Sequence, residues 1–150
     1  MWPDSRVEEH VAKNFAPARL HVKDQAADFK RFGEKYGAQW TPTVLFLDPE
    51  AGEKHRIEGF LPADEFDAQL VLGLGKLSFD AGQYAAAEER FREVVERHGS
   101  TDAAPEAQYW AGVSRYKATR DAGALAETAR AFVQRYGDTI WAKKASVWKK

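Results

Sequence analysis

A Thr-Pro step at residues 41–42 leads straight into the apolar run Thr43-Val44-Leu45-Phe46-Leu47. An unbroken run of this length, closed by the turn residues Asp48-Pro49, is typical of a strand that is buried on both faces. Gly37, a few residues earlier, is typical of a helix that ends there. The sequence therefore predicts a helix end, a short proline-containing linker and a buried strand in direct succession.

The other residues up to about 62 alternate between helical and extended patterns. Apolar spacing predicts helices over residues 7–15 and 26–36. The alternation of Arg19–Lys23 predicts a strand with one wet face, and that of His55–Phe60 predicts an edge strand. This order, in which helices and strands follow each other, indicates an α/β arrangement.

From Pro62 onward the extended patterns disappear, and helical periodicity predicts helices that glycines separate. Val94–Thr101 matches Phe132–Thr139 at an offset of 38 residues, which indicates an internal repeat. The small and large residues around Leu74-Gly75 and Phe91 resemble a tetratricopeptide motif, whose usual unit is about 34 residues. A plain stack of helical hairpins fits the same residues equally well.

The first half, residues 1–72, resembles a thioredoxin-like domain, and Trp40-Thr41-Pro42 resembles the cis-proline loop of that family. The resemblance implies a cis Thr41–Pro42 bond. It also implies that Trp40, Thr41 and Pro42 form a peptide-binding site, where an extended segment pairs with the backbone like an added strand. Two interpretations of Trp40 stay open: an exposed contact for a partner, or a cap on the core.

The two-cysteine motif of that family is absent, because the chain contains no cysteine. These residues therefore hold no disulfide, no thiolate nucleophile and no thiolate metal ligand. The family's central first strand is missing as well, and Val7–Phe15 would be the tail of its redox helix. The true start lies upstream of Met1, or the outer strands close the gap, or a second chain supplies the strand. We favour the first explanation, because Met1-Trp2-Pro3-Asp4 begins in the middle of the motif.

Other chemistry finds no support in the sequence. No two histidines stand at a metal-ligand spacing, no serine lies in a nucleophile turn, and Gly73-Leu74-Gly75 lacks the lysine of a phosphate loop. We therefore expect no catalytic residue, no metal site and no cofactor. The histidines are His10, His21, His55 and His98.

Charge and hydropathy limit the partners. Basic residues number 22 and acidic residues 23, so no basic excess points to nucleic acid or to an acidic membrane face. The longest apolar runs are far too short to span a membrane, and the first residues lack the apolar stretch of a signal peptide. We expect a cytoplasmic protein that binds a protein or peptide, and homo-oligomerisation stays open.

These observations give one fold class: an incomplete α/β thioredoxin-like domain that lacks its first strand, followed by all-α, tetratricopeptide-like helical hairpins. The domains would be residues 1–72 and 73–150, with a helix over 63–80 able to serve both. The expected function is that of a redox-inactive peptide- or protein-binding scaffold. The alternative is a fragment of a thioredoxin-family thiol–disulfide oxidoreductase whose cysteines lie upstream of Met1.

Overall fold

The structure, a computed structural model, describes residues 4–149. The chain divides into two compact units, with the boundary between Ala63 and Asp64. Residues 1–3, on which the interpretation of the chain's start rests, lie outside the described residues. The domain boundary predicted between residues 72 and 73 falls inside a helix that spans Ala63–Asp80.

The first unit contains two helices and a β-hairpin. Its elements are α1 (Ser5–Asn14), α2 (Ala26–Tyr36), β1 (Thr43–Leu47) and β2 (Glu53–Glu58). The strands pair antiparallel, with Thr43 opposite Glu58 and a bulge between Phe46 and Leu47. Both predicted helices are confirmed, and α2 ends at Gly37 in the left-handed conformation.

A small core holds the first unit together. Its buried apolar residues among those described are Val7 of α1, Phe46 of β1 and Ile57 of β2. The ring of Phe15 meets that of Phe46 edge-on at 5.4 Å, a favoured geometry for an aromatic pair. Asp4 caps α1, since its carboxylate accepts the amide of Arg6 at 2.9 Å.

Two expectations for this unit are wrong. Arg19–Lys23 forms no strand: residues 22–25 are a turn, closed by the amide of Gln25 donating to the carbonyl of His21. No described strand lies beside the segment, and the amide and carbonyl of His21 form local hydrogen bonds with Gln25 instead. β1 is not buried on both faces either. Only Phe46 is buried and Leu47 is exposed, because the described sheet has two strands.

The second unit is helical throughout its described residues. Most of α3 (Ala63–Asp80) belongs to it, followed by α4 (Tyr84–Arg97), α5 (Ala103–Thr119), α6 (Gly123–Gln134), α7 (Ile140–Ala145) and a 3₁₀ turn (Ser146–Trp148). Its central core combines three helices. The residues are Ala68, Val71 and Leu72 of α3, Ala87, Phe91 and Val94 of α4, and Ala103 and Ala107 of α5.

Two glycines in the second unit let neighbouring helices approach closely. A Cβ on Gly75 would lie 2.6 Å from the ring of Phe91, so α3 packs directly on α4 there. A Cβ on Gly112 would lie 2.0 Å from the hydroxyl of Thr128, so α5 packs on α6 in the same way. The sequence separation is the same in both pairs, but the pairs are one residue out of step with the 38-residue offset, so they lie at neighbouring rather than identical positions of the repeat.

The repeated segments also form the same turn. The hydroxyl of Thr101 donates to the carbonyl of His98 at 2.6 Å, and that of Thr139 donates to the carbonyl of Tyr136 at 2.7 Å. The second copy then closes onto the first, because the Tyr136 hydroxyl donates to the carbonyl of Gly99 at 2.6 Å. Burial raises the pKa of Tyr136 above its usual value.

Candidate functional site

The loop between α2 and β1 carries the predicted site residues. Trp40 is 68% exposed, and Thr41 and Pro42 are exposed too. The Thr41–Pro42 peptide bond is cis. Trp40 therefore does not cap the core, and the structure brings all three residues together in one exposed loop.

Two hydrogen bonds fix the end of this loop. The hydroxyl of Thr43 donates to the carbonyl of Trp40 at 2.6 Å. The amide of Gly59 donates to the carbonyl of Pro42 at 2.8 Å, which brings the chain after β2 beside the loop. Gly59 has a φ of +86°, a conformation that favours glycine.

Phe60 is the residue of this site that the sequence analysis did not identify. It follows Gly59 directly and is 82% exposed. The pattern of residues 55–60 predicted a strand that includes Phe60, whereas β2 ends at Glu58. The only indication of its position in the sequence was that a large aromatic directly follows a turn glycine.

Arg56 anchors the start of the loop. Its guanidinium binds both carboxylate oxygens of Glu53, at 2.7 and 2.8 Å, and Glu58 at 2.8 Å. It also donates to the main-chain carbonyls of Tyr36 and Gly37, the last turn of α2 and its cap. A planar fork of donors is suited to several acceptors at once. Arg56 therefore joins β2 to the point where the loop begins.

Charges around the hairpin are held in their ionised forms. The hydrogen bonds that Arg56 donates lower the pKa of Glu53, and its bonds to the carboxylates of Glu53 and Glu58 raise the pKa of Arg56. In the hairpin turn, the amide of Gly52 donates to Asp48 at 2.7 Å, and Lys54 lies 3.2 Å from the same carboxylate. These contacts, the Gly52 amide first, lower the pKa of Asp48.

A shallow hollow of about 320 Å³ lies beside the start of the loop. Its walls come from α2, with Phe29, Lys30 and Glu34, and from the loop itself, with Ala38 and Gln39. Among residues 4–149 no group of three or more histidines and carboxylates could hold a metal ion. The arrangement therefore offers an apolar surface and backbone groups, and the sequence supplies no thiol.

A comparison with protein families decides what this unit is. The family model described as a thioredoxin-like domain matches residues 1–73. The first part of this chain is a thioredoxin-like domain. The match ends inside α3, so it does not extend to the helices that follow. No curated protein and no solved structure matches the chain.

No helix among residues 4–149 is a candidate for a membrane span. None of them combines the length and the apolar character that a membrane span requires.

Proposed function

We propose that the thioredoxin-like domain binds an extended segment of a partner protein, without catalysis, through Trp40, Thr41, Pro42 and the ring of Phe60. The observation that carries this proposal is the exposure of Trp40 and Phe60 on the two chain segments joined by the Gly59–Pro42 hydrogen bond. Single exposed apolar residues are common, but two large aromatics at one end of a hairpin indicate a contact surface.

The hairpin also supports strand addition. Each of its strands pairs only with the other among the described residues, so the outer edges keep main-chain donors and acceptors for a further strand. An extended peptide that pairs along such an edge gains main-chain hydrogen bonds, and its alternate side chains reach one face. Trp40 and Phe60 would then select apolar side chains on the peptide.

The helical unit would act as the scaffold half of the protein. Its repeated turns at Thr101 and Thr139, and its glycine contacts at Gly75 and Gly112, support a tetratricopeptide-like array. Such arrays stack helix pairs into extended surfaces that bind partner proteins. A protein with a peptide-binding domain and a helical array would bring two partners together.

The proposal excludes thiol chemistry by these residues. Exchange of a disulfide requires attack by a thiolate, and the sequence contains no cysteine. We therefore expect the purified chain to leave the rate at which dithiothreitol reduces insulin disulfides equal to that of the protein-free control. Turnover above that control would contradict the proposal. The alternative, an oxidoreductase fragment, instead requires cysteine codons in frame upstream of Met1, which sequencing of the gene would reveal.

Peptide selection tests the binding function directly. A random peptide library displayed on phage is selected against the wild-type chain, and the affinity of a selected peptide is measured by calorimetry. Trp40→Ala and Phe60→Ala should each weaken binding at least about tenfold, the loss expected for an aromatic anchor. Val133→Ala, which alters an exposed side chain of the second unit, should leave the affinity unchanged. Equal affinities for all four proteins would refute the assigned site.

A further inference from the structure

The segment formed by α7 and the 3₁₀ turn after it has two different faces. On its inner side Ala145 is fully buried, and Tyr109 of α5 meets the ring of Trp141 at 5.4 Å and stacks on that of Trp148 at 4.9 Å. Ile140 and Val147 are 59% and 70% exposed. These two exposed apolar side chains, one in α7 and one in the 3₁₀ turn, are called the apolar stripe of this segment.

The internal repeat shows what covers the position equivalent to Val147. The 38-residue offset that relates Val94 to Phe132 also relates Ala107 to Ala145 and Trp110 to Trp148. The segment Ile140–Trp148 is therefore equivalent to the first half of α5. By the same offset Val147 corresponds to Tyr109, which the rings of Trp141 and Trp148 contact. One repeat earlier, a following helix occupies the position that is open at Val147.

A second pair of equivalent residues leads to the same conclusion. Val95 of α4 is partly buried and packs against the central core of the unit. Its counterpart in α6, Val133, is 67% exposed. Among the described residues, the helical unit thus leaves open, at two places, positions that are covered within the preceding repeat.

The charged residues beside the apolar stripe indicate which kind of helix would bind there. Lys143 and Lys144 lie between Ile140 and Val147 in the sequence and are exposed, and the ammonium of Lys144 sits 4.1 Å from the centre of the Trp141 ring. Residues 130–150 contain six basic residues and one acidic residue, Asp138, although the whole chain has a net charge of −1. A symmetric contact with a second copy would oppose lysines to lysines. Acidic side chains on a different partner would complement them.

We propose that the outer side of the segment Ile140–Trp148, formed by Ile140 and Val147 with Lys143 and Lys144, binds an amphipathic helix of a partner protein. The partner helix would place apolar residues at i, i+3 or i+4, and i+7 on this stripe, with glutamates or aspartates flanking them to meet the lysines. It would take the place that α7 takes on α5 one repeat earlier. This surface belongs to the second unit and does not depend on the peptide site of the first.

Two designed peptides test the proposal. Both are helices of about 18 residues, long enough to be stable in water, with leucines at the apolar positions; one carries glutamates at the flanking positions and the other lysines. We expect the acidic peptide to bind at least about tenfold more tightly than the basic one and to weaken as salt is added. No binding of the acidic peptide at about 1 mM, or equal binding of both peptides, would overturn the proposal.

Variants of the chain test whether the acidic peptide binds at this face. The double variant Ile140→Ser, Val147→Ser should weaken the acidic peptide at least about tenfold, whereas Lys143→Glu with Lys144→Glu should reverse the preference between the two peptides. Val22→Ser, at an exposed residue of the first unit, is the matched control. Circular dichroism checks that each variant keeps its helices.

If a second copy of the chain or a lipid surface occupies this face, sedimentation and vesicle-binding experiments will show it. Dimerisation of the wild-type chain in sedimentation, abolished by the double serine variant, would assign the face to a second copy. Binding to anionic vesicles of phosphatidylserine and phosphatidylcholine, with no preference for the acidic peptide, would assign it to a lipid surface. Either result would overturn the proposal of an acidic partner helix.

Discussion

Arg56 links the hairpin of the first unit to the loop that carries Trp40, Thr41 and Pro42. Its contacts to the carbonyls of Tyr36 and Gly37 stabilise the last turn of α2, where main-chain acceptors have no partner within the helix. The carboxylates of Glu53 and Glu58 hold the guanidinium in place. The hydrogen bonds of Arg56 reach Glu53, Glu58, Tyr36 and Gly37 and not the residues of the proposed site, so it would act as a positioning residue.

Replacing Arg56 should loosen the loop without unfolding the chain. In Arg56→Met we expect faster hydrogen exchange at the amides of residues 36–42 and weaker peptide binding, because α2 is no longer tied to β2. Arg56→Lys should give an intermediate result, since an ammonium cannot reproduce the two-point contact with Glu53. Arg31→Met, which breaks a surface pair with Asp28, is the control. Unchanged exchange at residues 36–42 in Arg56→Met would contradict this role.

Gly75 offers a residue-level test of packing in the second unit. An alanine there would drive its Cβ into the ring of Phe91, which is itself fully buried. Overpacking costs about 1–3 kcal/mol, and the better helix propensity of alanine returns about 0.8–1 kcal/mol. We expect a net loss of up to roughly 2 kcal/mol in the free energy of unfolding, measured with urea.

Gly123→Ala is the control for that measurement. Its Cβ would meet only the side chain of Asp121, at 3.0 Å, and an exposed side chain can move away. We expect Gly123→Ala to keep or slightly raise stability. A Gly75→Ala variant as stable as Gly123→Ala would show that α3 and α4 can separate at this point without cost.

At the scale of single residues, the sequence predicted the features that depend on the conformational preference of one residue. Gly37 ends α2 because a left-handed residue is needed there, and that requirement is visible in the sequence. The role of Arg56 was missed. The carbonyl it reaches lies 20 residues earlier, and an arginine in an alternating strand looks the same whether it faces solvent or a helix end.

At the scale of elements, the error at Arg19–Lys23 has a physical cause. Alternation shows that a segment could present one apolar face, but a strand forms only when a neighbour supplies hydrogen bonds. Without a described neighbour, the amide of His21 donates instead to the side chain of Gln25 at 3.0 Å. The periodicity of the helices, whose hydrogen bonds are internal, predicted their positions far better.

The β-hairpin should lose stability in acid. The pKa values of Asp48 and Glu53 are lowered in the folded chain, so the folded state favours their ionised forms. Their contribution is complete above the usual values of 3.8 and 4.5 and is lost as the pH falls through the lower folded values. Asp4 at the start of α1 behaves alike, because its hydrogen bond from Arg6 lowers its pKa to about 2.

The measurement is the exchange rate of the Gly52 amide as a function of pH, corrected for the intrinsic rate. Protection should fall below about pH 4. In Asp48→Asn the amide keeps an acceptor but the contact with Lys54 loses its charge, so protection should be lower at neutral pH and change less in acid. Glu34→Gln, at an exposed position of α2, should follow the wild type. A flat profile in the wild type would contradict the assignment.

At the scale of the whole molecule, the two units differ in how much apolar surface they bury. The first unit has three buried apolar residues among those described, and the second has fifteen, of which seven are larger than alanine. Burying one large apolar side chain contributes about 1.5–3 kcal/mol. The helices of the second unit also form over local contacts, whereas a hairpin alone is marginal in water.

Native-state hydrogen exchange should therefore show two levels of protection in one chain. We expect weak protection at Leu20, Val22 and Val44–Phe46, and protection greater by roughly 100-fold over Tyr84–Val95, because the first unit opens without the second. A moderate urea concentration should unfold the first unit while the amides of α4 stay protected. The matched control is Gly75→Ala, which should reduce protection in α4 and leave that of Val44–Phe46 unchanged. Equal, strong protection in both units would show that the small core around Phe46 suffices, and that the thioredoxin-like domain is as stable as the helices it precedes.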